Sequence, residues 1–168
     1  CSSDLHSHAA IAYGNLMIVY GGYSLAAGDS LKDLWVMPMD GPSAFIWSEI
    51  SPSGGIPTPL YGHRAVLVDT LIVMYGGQLS VGDGVQAIAL SDGGAVWSTP
   101  SVDGDWTHAP FRAGVASLDA DGDADPELVV FGGLRTDVGK PANGLAVLSE
   151  IGQNVLAPAK ELPFILAG

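Results

Sequence analysis

Three apolar runs in this chain end in a glycine pair: LMIVYGG at Leu16–Gly22, LIVMYGG at Leu71–Gly77 and LVVFGG at Leu128–Gly133. The second glycines, Gly22, Gly77 and Gly133, stand 55 and then 56 residues apart. Self-similarity at such a period marks a repeat architecture, in which each unit is one supersecondary element that buries its apolar faces against its neighbours. The fold must therefore be built from a unit of about this length, used three times.

The unit reads as strands. Its apolar runs are short, rich in Val, Ile, Leu, Tyr and Trp, and bounded by Gly, Pro, Asp and Ser. Tyr13-Gly14-Asn15-Leu16 and Val68-Asp69-Thr70-Leu71 fall between two such runs and predict hairpin turns. Ala27–Ser30, Val81–Gly84 and Ser91–Gly94 predict further turns. No window keeps apolar residues at helical spacing without a Gly or Pro, so no helix is expected. Leu71-Ile72-Val73-Met74-Tyr75 is apolar without alternation, as a strand covered on both faces should be.

Other residues repeat with the glycines. His8 and His63 each precede the first glycine of their pair by 13 positions. After the pairs come Leu31–Val36 and then Ile46-Trp47-Ser48, and in the second unit Val85–Leu90 and then Val96-Trp97-Ser98. The third unit has Phe111-Arg112-Ala113-Gly114 before its glycines and Leu145–Leu148 after them, and lacks both the His and the final Trp. This order resembles the kelch repeat, over roughly Leu5 to Val155. The resemblance implies an all-β fold of kelch-type β-propeller blades: about three four-stranded antiparallel blades within a single segment, 1–168. The blade-like repeats are expected at about 5–50, 60–99 and 108–157, with 158–168 beginning a further element. Trp35, Trp47 and Trp97 are expected between blades, where they supply large apolar area. Propellers close with roughly four to eight blades, which removes exposed sheet edges. Three blades predict an incomplete ring or part of a larger assembly.

The charge narrows the partners. Lys and Arg total 6 against 18 Asp and Glu, a net charge of −12. This opposes nucleic acid, which needs a basic footprint, and anionic membrane surfaces. No apolar stretch is long enough to predict a transmembrane segment. Low Lys content suggests an extracellular or cell-surface setting, although no Asn-x-Ser/Thr sequon supports it. Cys1 is the single cysteine, so no disulfide can form within these residues. Followed by Ser-Ser-Asp, it resembles the mature end of a bacterial lipoprotein, where it would be acylated; the bland alternative is that Cys1 is only where these residues begin, and a disulfide to another chain or to a segment beyond these residues is also open.

One segment carries chemistry. Where the first two units have a short turn, the third has Asp119-Ala-Asp121-Gly-Asp123-Ala-Asp125-Pro-Glu127, with carboxylates at every second position. So many acids in one loop repel unless a cation joins them, and Ca²⁺ takes six to eight oxygens from such loops. The spacing is not that of a full EF-hand: Ala124 replaces the glycine at place 6 and Val130 the glutamate at place 12. It is similar to the Ca²⁺ loop in the propeller of integrin α-subunits. That likeness implies side-chain ligands from Asp119, Asp121, Asp123 and Glu127, and a backbone carbonyl from Asp125, around a structural Ca²⁺. Glu127 stands where those loops have Asp.

The remaining candidates carry less. His6 and His8 are two apart and would share a strand face, which admits a metal pair, but the repetition of His8 by His63 favours a structural role. No G-x-S-x-G, P-loop or Rossmann fingerprint is present. The expected function is that of a non-catalytic interaction or structural module. A protein or glycan partner would meet the loops Tyr23–Ser30, Gln78–Gly84 and Leu134–Asn143, and other copies or chains could complete the propeller or a fibre. The alternative is a fragment of a kelch-fold enzyme or carbohydrate-binding protein, of galactose-oxidase-like architecture, whose active residues lie elsewhere.

Overall fold

The structure, a computed structural model, describes residues 4–55, 58–68, 70–78, 84–91, 94–102, 111–119, 126–135, 139–141, 144–149 and 155–158. These residues form three antiparallel blades. The first contains β1 (Leu5–His6), β2 (Ala9–Tyr13), β3 (Leu16–Ser24), β4 (Asp29–Pro38) and β5 (Ser48–Ile50), with β1 and β2 both paired to β3. The second is β6 (Arg64–Val68), β7 (Leu71–Tyr75), β8 (Val85–Ser91) and β9 (Gly94–Ser98), paired in chain order. Next come β10 (Ser101–Val102), β11 (Gly114–Leu118), β12 (Glu127–Phe131), the small hairpin β13 (Leu134–Arg135) and β14 (Lys140–Pro141), β15 (Leu145–Ser149) and β16 (Val155–Pro158). The third blade runs β11, β12, β15, β16. All described regular elements are strands, as the sequence predicts.

Each meander reverses at two ends with opposite chemistry. At one end the first two strands of a blade join. Tyr13 pairs with Leu16 and Val68 with Leu71, across tight turns. In the third blade the closing pair is Leu118 and Glu127, so residues 119–126 lie outside the ladder. At the other end every second strand runs into its glycine pair. All six of these glycines have positive φ: 60° and 106° at Gly21 and Gly22, 70° and 93° at Gly76 and Gly77, 64° and 97° at Gly132 and Gly133. Side chains avoid that region. At Gly21 space is lacking as well, since a Cβ would sit 2.6 Å from the Leu60 carbonyl oxygen.

The core lies between blades. Alternation along each strand sends one set of side chains backward and the next forward. Ile18, Tyr20 and Leu34 of the first blade meet Ile72, Met74, Ile88 and Trp97 of the second. Val73, Tyr75 and Val85 on the second blade's other face meet Ala113, Leu128 and Val130 of the third. Burying each such side chain contributes about 1.5–3 kcal/mol, so the two junctions dominate the stability of the array. The inner strands β2, β6 and β11 also touch in succession.

Outer edges are covered in the same way twice. Ser53, leaving the first blade, bridges in parallel to Val96 in β9, and β10, leaving the second, runs parallel to β16. Of the three expected interblade tryptophans, only Trp97 is between blades, at 2% exposure. Trp35 and Trp47 are half-buried. Both line a cleft with Leu5, Val19 and Leu31 on the face of the first blade that points away from the second. They belong to a face that no described blade covers.

Candidate interaction face

The glycine-pair ends of the three blades build one surface. Just before each inner strand stands a left-handed residue: Ser7 (φ 58°), Gly62 (φ 70°) and Arg112 (φ 57°). The Gly62 N–H donates to the Ser7 carbonyl at 2.8 Å, and the Arg112 N–H donates to the Gly62 carbonyl at 2.8 Å. One backbone conformation, repeated, thus ties the blades together in series. Ser7 and Arg112 hold it at a conformational cost of about 1 kcal/mol or more each. This bend also separates His6 from His8. His6 pairs with Tyr23 in β1 and is exposed, whereas His8 follows the bend and is half-buried. The shared strand face on which a His-x-His metal pair depends therefore does not form.

The residue before each bend carries a ring: His6, Tyr61 and Phe111. Each faces the residue after its glycine pair, giving the pairs His6–Tyr23, Tyr61–Gln78 and Phe111–Leu134. The rings run across the blades in contact. Centroid separations are 5.4 Å from His6 to Tyr23, 5.2 Å from Tyr23 to Tyr61 and 5.6 Å from Tyr61 to Phe111. The Arg112 guanidinium lies 4.9 Å above the Phe111 ring, and its Nη2 donates to Ser7 Oγ at 3.5 Å. The Tyr61 hydroxyl donates to Gln78 Oε1. Arg112 is one of only six Lys and Arg side chains in the chain and stands exposed among these rings.

The loops expected to meet a partner leave from this same end. In the first, Tyr23–Ser30, Asp4 Oδ2 accepts from the Ala26 N–H at 2.6 Å and from Ser24 Oγ at 3.1 Å. The Ala26 hydrogen bond holds the Asp4 carboxyl below its usual range. Of the second loop, Gln78 and Gly84 are described; of the third, β13 and β14 form a short hairpin in which Leu134 pairs with Pro141.

Beneath the surface lies a buried polar pair of positions. His63, fully buried, packs edge-on to Tyr20 with centroids 5.6 Å apart, and neither of its ring nitrogens has a hydrogen-bond partner among the described residues. Burial pushes its imidazole down to about 4, aided by the positive charge of Arg64 and by His8. Burial also raises the Tyr20 hydroxyl, with a further contribution from Asp33, while that hydroxyl donates to the Thr58 carbonyl at 2.6 Å.

The described ends of the acidic segment sit at the opposite end of the blade. Asp119 follows β11 and is exposed, and Glu127 opens β12 with 4% exposure. Asp121, Asp123 and Asp125 lie outside the described residues, as do Cys1, most of the Gln78–Gly84 loop and residues 159–168. The ring row was absent from the sequence expectations. Its signal was the ring two positions before each His or its counterpart, which the divergence of His6, Tyr61 and Phe111 obscured.

Comparison with known proteins agrees with this architecture. No family model matches the chain. It is 32% identical over 71 residues to Kelch domain-containing protein 3 of Homo sapiens, covering 42% of this chain and 18% of that protein. To Kelch domain-containing protein 2 of Homo sapiens it is 30% identical over 90 residues, covering 49% of this chain and 21% of that protein. The match thus spans about a fifth of the length of these curated relatives. Among solved structures it resembles that of YjhT, with a TM-score of 0.64 at 14% identity, covering 93% of this chain and 46% of that one. The fold is that of kelch-type β-propeller blades. No described helix is long and apolar enough to cross a membrane.

Proposed function

We propose that this chain is a non-catalytic interaction module that binds a protein partner at the glycine-pair end of its blades. The observation that carries this reading is the continuous row His6, Tyr23, Tyr61 and Phe111, ending in the exposed Arg112. Tyrosine and arginine are the residues that most often dominate the energy of protein interfaces. Here Tyr23 and Tyr61 stand on strand-paired positions and Arg112 in the hydrogen-bonded bend, beside loops free to differ in sequence. The test is affinity capture with the protein immobilised, in parallel with a Tyr61→Ala/Arg112→Ala double variant of unchanged circular dichroism. A partner held by the native face and lost by the variant is expected, with affinity reduced about a hundredfold. A partner retained by the variant overturns the reading, and binding confined to glycans on an array replaces the protein by a sugar.

A second part of the proposal concerns Asp119, Asp121, Asp123, Asp125 and Glu127, which we assign to a structural Ca²⁺. Its support is the acid spacing together with the ladder that pins both ends of the segment at Leu118 and Glu127. Leu118 and Glu127 close the ladder at the end away from the ring row, so an ion held there would brace the hairpin and leave recognition untouched. In the extracellular or cell-surface setting that we propose, such loops bind Ca²⁺ at about 10⁻⁴–10⁻³ M. Calorimetric titration should show binding in this range. At ten times the dissociation constant the ion should stabilise the fold by about 1.4 kcal/mol. Asp121→Asn/Asp123→Asn should abolish both effects; absence of heat and of a melting shift in millimolar Ca²⁺ would sink the site.

A further inference from the structure

The described Lys and Arg residues of this acidic chain are gathered at one end of the blades. Lys32 lies in the irregularity of the first blade opposite Gly21, and Arg64 opens β6 opposite Tyr75, beside the second glycine pair. Arg112 forms the bend of the third blade, and Arg135 pairs with Lys140 in the hairpin that follows the third glycine pair. All five therefore stand at the glycine-pair end. Asp40, Asp119 and Glu127 stand at the opposite end, where no described Lys or Arg is found. The net charge of −12 thus conceals a local excess of positive charge beside the ring row.

The described acids at the glycine-pair end are already engaged. Asp4 accepts from the Ala26 N–H and from Ser24 Oγ, Asp29 from the Ser30 N–H at 2.7 Å, and Asp33 from Trp35 Nε1 at 2.6 Å. All three serve the first blade. On the third blade's side, Arg112, Arg135 and Lys140 share that end with no described carboxylate. The Arg112 guanidinium lies over Phe111 and spends one long hydrogen bond, 3.5 Å, on Ser7 Oγ, so most of its N–H donors stay open to solvent. Ser7 Oγ is also 3.0 Å from His6 Nδ1, which sets one hydroxyl of the first blade between a ring and a cation. Arg135 and Lys140 are cross-strand partners, and like charges placed directly opposite weaken a ladder. Two reciprocal hydrogen bonds of 2.8 Å between Phe111 and Leu134 fix that hairpin beside the Arg112 bend.

We propose that the segment bound along the ring row is acidic: a stretch of a partner protein whose Asp or Glu side chains meet Arg112 and Lys140 while its apolar groups lie on Tyr23, Tyr61 and Phe111. This rests on the assignment of the face to protein recognition and adds the chemistry of its partner. A carboxylate matches the guanidinium fork of Arg112, since its two oxygens take two parallel N–H groups. The Ser7 hydroxyl, already at that fork, can turn to donate a third hydrogen bond. A second carboxylate further along the segment relieves the like-charge pairing of Arg135 with Lys140. The overall charge does not forbid this, because at physiological salt exposed charges are screened beyond about 8 Å, and the described cations stand at the face itself. A peptide is favoured over nucleic acid, whose evenly spaced phosphates need a longer basic footprint than these few cations supply.

The test is selection from a library of random peptides, joined to their carrier through their C-termini so that only side-chain carboxylates are offered. The immobilised protein selects, and the Tyr61→Ala/Arg112→Ala double variant removes peptides that bind elsewhere. Expected are peptides rich in Asp and Glu, each weakened about tenfold or more by Arg112→Ala and by exchange of its acids for amides. Arg112→Lys should recover part of the loss, because the charge remains and the fork does not. Lys140→Glu, on an exposed hairpin, should weaken the same peptides and gives a second measurement should Arg112→Ala fail to fold by circular dichroism. Peptides that need Tyr61 and Arg112 but carry no excess of acids would overturn the acidic partner and leave the face standing. Absence of any peptide that depends on Tyr61 would overturn both readings. Displacement of the peptides by single-stranded DNA of equal charge at equal concentration would assign the site to polyanions in general and overturn the proposal.

Discussion

Trp97→Ala should lower the unfolding free energy by about 3–5 kcal/mol, while Trp47→Ala should cost only about 1 kcal/mol. The two tryptophans stand in corresponding Trp-Ser steps of neighbouring repeats, Trp97 within β9 and Trp47 just before β5. Their surroundings differ. Trp97 is 2% exposed and packs in one cluster with Ile72, Met74 and Ile88 from its own blade and Ile18 and Leu34 from the first. Its removal leaves a cavity whose walls belong to two sheets, whose approach is limited by the interblade backbone hydrogen bonds from Gly62 to Ser7 and from Gly22 to Leu60. Trp47 is half-buried on a face that no described blade covers, so solvent fills the space its ring leaves. With total stabilities of about 5–15 kcal/mol, the first substitution removes a large fraction of what holds the array together. Urea denaturation followed by far-UV circular dichroism measures both values. Equal losses would mean that the interblade cluster is not the principal source of stability.

The contrast between these tryptophans also shows what the sequence could and could not reveal. The glycine pairs placed the ends of β7 and β12 and the irregularity within β3, because only glycine tolerates two successive positive φ values, so the backbone demand is written directly in the residue type. Likewise the unbroken run Leu71–Tyr75 identified a strand covered on both faces, and the structure buries Ile72, Val73, Met74 and Tyr75 on alternate sides. Which blade covers a given tryptophan is different in kind. It depends on what stands beside the sheet, and Trp35, Trp47 and Trp97 look alike in sequence. The bend at Ser7 and Arg112 was equally hidden. Its left-handed conformation is imposed by the interblade hydrogen bonds through Gly62, and only Gly62 advertised it. His6 and His8 consequently read as strand neighbours, although the backbone between them turns away.

Stability should fall as pH decreases from about 6.5 to about 4, by about 3 kcal/mol, through His63 alone. Burial is the chief cause, because the ring is enclosed against Tyr20 and beneath Gly21 and Gly77. The Arg64 guanidinium next in sequence further disfavours a second positive charge, as does His8. The sign follows from proton uptake. Above the ordinary imidazole value neither state binds a proton at this residue, and the native state bears no penalty. Below it the unfolded chain is protonated while native His63 remains neutral, so each further pH unit favours unfolding until the native ring itself titrates near 4. Carboxylates titrate over the lower part of the same window, and with 18 of them their contribution must be separated. A His63→Gln variant does so, since the difference between the two stability profiles isolates the imidazole. That difference should be flat above about pH 7 and steepen between 6.5 and 4. Should the variant fail to fold, the ring-proton shifts of native His63 report the same quantity directly, and they should stay those of a neutral ring down to about pH 5. Parallel stability profiles, or a ring that titrates at its ordinary value in the folded protein, would show that His63 is open to solvent and that the junction beneath the glycine pairs is looser than its packing indicates.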